Sequence, residues 1–106
     1  LPGFNERVRL LHVYIKKLLL DEKYCTQSLI KSTKKLLTKN KINEIAISIK
    51  GFSGGEIESL INGLATNAAL EKTTQLTEKN IGNTVKQAVN KYLEFTQGKY
   101  LNLVHD

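Results

Sequence analysis

The chain has 106 residues, 41% of them hydrophobic and 25% charged, and carries a formal charge of +6. That length and composition fit one globular domain and exclude wholesale disorder. No apolar run approaches the roughly 20 residues of a membrane-spanning helix. The single cysteine, Cys25, excludes an intramolecular disulfide, and with only His12 and His105 beside it no metal cluster can be assembled.

In chain order the pattern is helical. "NERVRLLHVYIKKLLL" offers Asn5 as an N-cap and Glu6 in the first turn. Val8, Leu11, Ile15 and Leu18 share one face, broadened by Leu10, Val13 and Tyr14, while Lys16 and Lys17 suit the negative helix end. A weaker pattern follows from Asp21 to Lys41, where Cys25 is expected as a small buried or half-buried apolar residue. The pairs Leu29/Ile30 and Leu36/Leu37 predict one helix over 27–38. Its other side carries Lys31, Lys34 and Lys35, followed by Lys39 and Lys41. "INEIAISIKG" spaces Ile42, Ile45, Ala46 and Ile49 as a helix with Gly51 as its C-cap, although Ile45, Ile47 and Ile49 also alternate as in a strand.

"GFSGGEIESL" is the most strongly specified start. Ser53 and Glu56 have capping-box spacing, and Phe52 with Ile57 forms a hydrophobic staple. The helix continues through Ile57, Leu60, Ile61, Leu64, Ala65 and Ala68, and Gly63, Ala65, Ala68 and Ala69 invite a close neighbour. In the last element Thr77 caps, Glu78 begins, and Ile81, Val85, Ala88, Val89, Tyr92 and Leu93 form the buried stripe. The tail, 96–106, is expected either as a short packed helix or as a loosely held end.

Catalytic chemistry is missing from this chain. "GFSGGE" lacks the lysine and hydroxyl of a phosphate loop, and no G-x-G-x-x-G is present. Glu56 and Glu58 point apart on a helix, and both histidines are isolated. The lone cysteine points to a reducing compartment, the cytoplasm or an organelle matrix. The opening "LPGF" has neither a signal peptide nor a methionine, so the chain is expected to be a piece of a longer protein.

Two motifs together resemble the small C-terminal lid domain of AAA+ ATPases. "LPGFNERVRLLHVYI" is similar to the family's L-P-x-x-x-x-R-x-x-(I/L)-L segment, which joins the large nucleotide-binding domain to the lid. "GFSGGEIESLINGLATNAA" is similar to the G-(F/Y/M)-S-G-(A/R)-(D/E)-(L/I)-x-x-L signature that opens the third lid helix. "LTEKNIGNTVKQAV" resembles the closing helix, so the match runs to about Phe95. The long interval from Asp21 to Ile49 looks like that of membrane-anchored mitochondrial AAA proteins.

The resemblance implies an all-α fold, a small bundle of four to five helices occupying 1–106. It implies ATP as the cofactor, with Mg²⁺ and the phosphates held by an absent large domain while this lid closes over adenine and ribose. Leu10 and Tyr14 fall where the first lid helix meets the adenine, and Gly54 and Gly55 where the third helix runs beside base and sugar. The implied partners are the large domain of the same chain and further copies in a homo-hexameric ring, with no nucleic acid and with any membrane anchor outside 1–106. Arg7 matches a family arginine that would contact the large domain. One position departs: many relatives carry an arginine, sensor 2, where Gly55 stands, and direct contact with the γ-phosphate there is put in doubt. Beside this stand a basic helical module binding nucleic acid through Lys31, Lys34, Lys35, Lys39 and Lys41, and a protein-interaction bundle unrelated to ATPases.

Overall fold

Among the described residues there are five α-helices, and hydroxyl side chains start four of them. The first, α1 (Phe4–Leu19), has no side-chain cap. Thr26 accepts from the Leu29 N–H at 3.2 Å ahead of α2 (Gln27–Leu36), and Thr38 does the same for Lys41 at 3.2 Å ahead of α3 (Lys39–Ser48). Ser53 and Glu56 make the full capping box of α4 (Gly54–Leu70). Thr77 accepts from the Asn80 N–H at 3.0 Å at the head of α5 (Glu78–His105). Each cap satisfies one of the donors that a helix start leaves open. This computed structural model describes residues 1–21, 26–72 and 74–105, with backbone only for 98–105. Among the described residues there is no strand, so the expected all-α bundle is the fold.

The apolar spacing of α4 explains its central place. Ile57, Leu60, Ile61, Leu64, Ala65 and Ala68 are all buried, because they share one broad face, an arc of about 140°, that needs neighbours on two sides. α1 packs on one side through Leu11 and Ile15, and α5 on another through Ile81 and the half-buried Val85, Ala88, Val89 and Tyr92. α3 closes the core with Ile42, Ile45, Ala46 and Ile49. Burying side chains such as Leu11, Ile49, Ile57, Ile61 and Ile81 stabilises the fold by about 1.5–3 kcal/mol each. At Gly63 the closeness of α5 is measurable: an added Cβ would stand 3.3 Å from Thr84 Cγ2.

α2 lies at the periphery. It buries Leu29 and Thr33, with Leu37 just beyond its end, and is tied by the Leu76 N–H donating to Ser32 Oγ at 2.8 Å. No described helix is long and apolar enough to cross a membrane.

Several sequence expectations are corrected. Asn5 is no cap: the Arg7 N–H already bonds the Gly3 carbonyl at 2.8 Å, so α1 starts earlier. The helix expected over 27–38 ends at Leu36, because Thr38 turns outward to cap α3. The alternating isoleucines are helical, with Ile47 on the exposed side. Gly51 lies beyond the C-cap, which is Ile49, and occupies a separate left-handed position with φ +94°. Val13 and Leu93 face outward, as their positions on α1 and α5 turn away from α4. The tail continues α5 to His105. The expectation for Cys25 lies outside the described residues.

Candidate functional site at the start of α4

The turn joining α3 to α4 is built from "GFSGGE". Gly51 adopts the left-handed conformation that side-chain-bearing residues avoid, and an added Cβ there would collide with the Tyr92 hydroxyl. The next residue, Phe52, is buried and its ring lies 5.1 Å from that of Tyr92, tilted by 39°. Its N–H donates to the Ile49 carbonyl at 3.0 Å, closing the turn. The turn is therefore clamped from α5 before α4 begins.

The capping box then sets the direction of α4. The Glu56 N–H donates to Ser53 Oγ at 3.2 Å, and the Ser53 N–H donates to Glu56 Oε1 at 2.9 Å. This leaves the N–H groups of Gly54 and Gly55 at the head of the helix with no intrahelical acceptor. The Glu56 carboxylate already occupies the place where the helix start would attract an anion, so this end suits a neutral, hydrogen-bonding ligand edge better than a phosphate.

Tyr14 of α1 faces this helix start. A Cβ added to Gly54 would lie 4.0 Å from the Tyr14 hydroxyl, an ordinary van der Waals distance. Gly55 is exposed, and its nearest neighbour to an added Cβ is Ser53 Oγ at 4.0 Å. Leu10 sits one turn before Tyr14 on the same flank of α1, half-buried against the core. Tyr14 and Gly54 are thus brought together, with Leu10 and Gly55 continuing the two edges. Beyond Tyr14 a cleft of about 310 Å³ runs between α1 and α4, lined by Lys17, Glu58, Asn62 and Thr66 among others.

Arg7 is turned inward. It is 7% exposed, its Nε donates to the Ala46 carbonyl at 2.9 Å, and its Nη1 donates to the Pro2 carbonyl at 3.1 Å. Its guanidinium carbon lies 5.9 Å from the Phe4 ring centre. The cation therefore closes the negative end of α3 from within the domain, in place of the outward contact expected from the sequence.

Sequence reasoning read Tyr92 only as part of an apolar stripe, and nothing local in "NKYLEF" signals its contact with Gly51. It also missed the polar seam between α4 and α5. There Asn67 Nδ2 donates to Thr84 Oγ1 at 2.9 Å, and Thr84 Oγ1 donates to the Asn80 carbonyl at 2.7 Å. The spacing of Asn80 and Thr84, one turn apart on the buried side of α5, was the available clue. Among the described residues there is no cluster of three or more metal-ligating side chains. The site can bind and orient through shape, an aromatic hydroxyl and backbone N–H groups. No family model matches this chain, and neither does any curated protein or solved structure.

Proposed function

We propose that this chain is the lid domain of an AAA+ ATPase, closing over the adenine and ribose of ATP. A large domain of the same protein would hold the phosphates and Mg²⁺, within a homo-hexameric ring. The observation that carries this reading is the approach of Tyr14 to Gly54, since the two belong to separate motifs of the resemblance. An aromatic edge, the apolar Leu10 and a glycine backbone without side chains fit a flat base, which needs close approach and few charges. The absence of a side chain at Gly55 and the engaged carboxylate of Glu56 fit a role in shape and closure, away from the γ-phosphate.

ATP bound there supplies the phosphoanhydride whose hydrolysis drives the cycle. The residues of this chain bind and orient the base, and the bundle rotates as a rigid body against the large domain as nucleotide comes and goes. The clamp of Tyr92 on Gly51 and Phe52 would make the helix start move with the whole bundle.

Photolabelling of the intact protein with 8-azido-ATP tests this. Labelled peptides should contain Leu10–Tyr14 or Gly54–Gly55, and excess ATP should suppress them. Labelling confined to other segments, or no Walker motifs in the coding sequence upstream of Leu1, would overturn the reading. Residues 1–106 alone should show no micromolar ATP binding by calorimetry.

A further inference from the structure

We propose that the lysine face of α2 and the start of α3 is a docking surface for an anionic lipid bilayer. At the helical repeat, Lys31, Lys34 and Lys35 fall within an arc of about 100°, opposite the buried Leu29 and Thr33. Lys39, the first residue of α3, follows past the turn at Leu37 and Thr38. All four are exposed, and from Thr26 to Asn43 there are five lysines and no acidic residue. The fifth, Lys41, is ion-paired to Glu44 at 3.6 Å and to Glu78 at 3.3 Å. Among the described residues no carboxylate pairs with Lys31, Lys34, Lys35 or Lys39. Three like charges are held side by side on α2, with a fourth at the start of α3, a repulsive arrangement that a polyanion relieves.

The details favour a bilayer over other polyanions. Lysines are diffuse point charges, and the patch has no arginine fork to grip a single phosphate. From Thr26 to Asn43 there is no aromatic side chain to stack a base. Half-buried Ile30 borders the arc on one side, and Ser28 and Ser32 on the other. Lysine stems can lie over the apolar margin with their ammonium groups outward, which suits contact at headgroup level without insertion. Clusters of this size next to apolar helix surface are what anionic headgroups attract. The inference does not depend on the ATPase reading.

Co-sedimentation of residues 1–106 with vesicles tests it, using phosphatidylcholine alone and phosphatidylcholine with phosphatidylserine. Binding should require phosphatidylserine and fall steeply with added salt. The triple variant K31Q/K34Q/K35Q should weaken it by roughly a hundredfold. K86Q/K91Q, which removes two exposed lysines from α5, should lower it by less than about threefold, its charges lying off the contact face. Equal binding to neutral vesicles would overturn the proposal. So would an effect of K86Q/K91Q as large as that of the triple variant, since net charge alone would then explain binding. Duplex DNA binding through these lysines, with no vesicle binding under the same salt, would also overturn it and assign the face to nucleic acid.

Discussion

Tyr92 of α5 seats its hydroxyl against Gly51 and its ring beside Phe52, so the far helix of the bundle holds the turn that launches α4. The contact works only because Gly51 has no side chain and sits at φ +94°. Gly51→Ala should therefore destabilise the domain by about 2–4 kcal/mol, combining left-handed strain with the collision. In a Tyr92→Phe background the same substitution should cost about 1 kcal/mol less, because the nearest clash is removed while Cζ at 3.1 Å and the left-handed strain remain. Urea denaturation of the four proteins in the cycle measures this, and strict additivity would show that the hydroxyl is not the obstacle.

Ser53→Ala removes the acceptor for the Glu56 N–H, while the backbone N–H at position 53 still donates to the Glu56 carboxylate. A loss of about 1 kcal/mol is expected, read by the same denaturation curve. Faster hydrogen exchange should be confined to the first turn of α4.

Two helical glycines should respond oppositely to alanine. Gly82 of α5 has nothing within 4 Å of an added Cβ, so Gly82→Ala should raise stability by about 0.5–1 kcal/mol through helix propensity. Gly63→Ala meets Thr84 Cγ2 at 3.3 Å, and Thr84 is held by its bonds to Asn67 and Asn80. A net loss of about 1 kcal/mol is expected there, seen as a lower melting temperature.

Arg7→Met keeps much of the side-chain volume but abandons the Ala46 and Pro2 carbonyls. The loss should be about 2–3 kcal/mol, as for a buried charge-assisted bond. Retention of full stability would mean that Arg7 serves a contact outside the domain.

Glu6 and Arg9 pair on the exposed side of α1, with Arg9 Nε donating to Glu6 Oε1 at 3.1 Å and to Oε2 at 3.0 Å. The bond from Arg9 holds the Glu6 carboxyl below its ordinary range and raises the Arg9 pKa in turn. A carboxylate with a depressed folded pKa adds stability above its unfolded value and loses it as the pH falls through the folded one. Carbon-detected NMR titration should place the Glu6 midpoint below that of a model glutamate, and added salt should move it back toward normal. In Glu6→Gln this acid-side contribution should vanish.

Local features were legible where neighbours in sequence do the bonding. The start of α4 could be read from Ser53, Glu56, Phe52 and Ile57, because a capping box and a staple close within one turn. The buried faces of α1 and α4 followed from apolar spacing for the same reason. The start of α1 was misread at Asn5, since an eligible side chain does not cap when the backbone has already begun to coil at Gly3. Leu93 was assigned to the core from its spacing, but it stands about 100° round α5 from Tyr92 and faces outward.

The candidate site divides along the same line. The amino-acid sequence by itself determined a bundle of four to five helices, the caps at Ser53 and Thr77, the glycine-rich turn and the lysine run, all set by bonds and periodicities spanning a few residues. Only the tertiary structure decided that Tyr14 faces Gly54, that Tyr92 closes on Gly51, and that Arg7 turns inward to Ala46. Those pairings join residues on different helices, where the crossing of whole elements, and no local preference, sets which side chains meet.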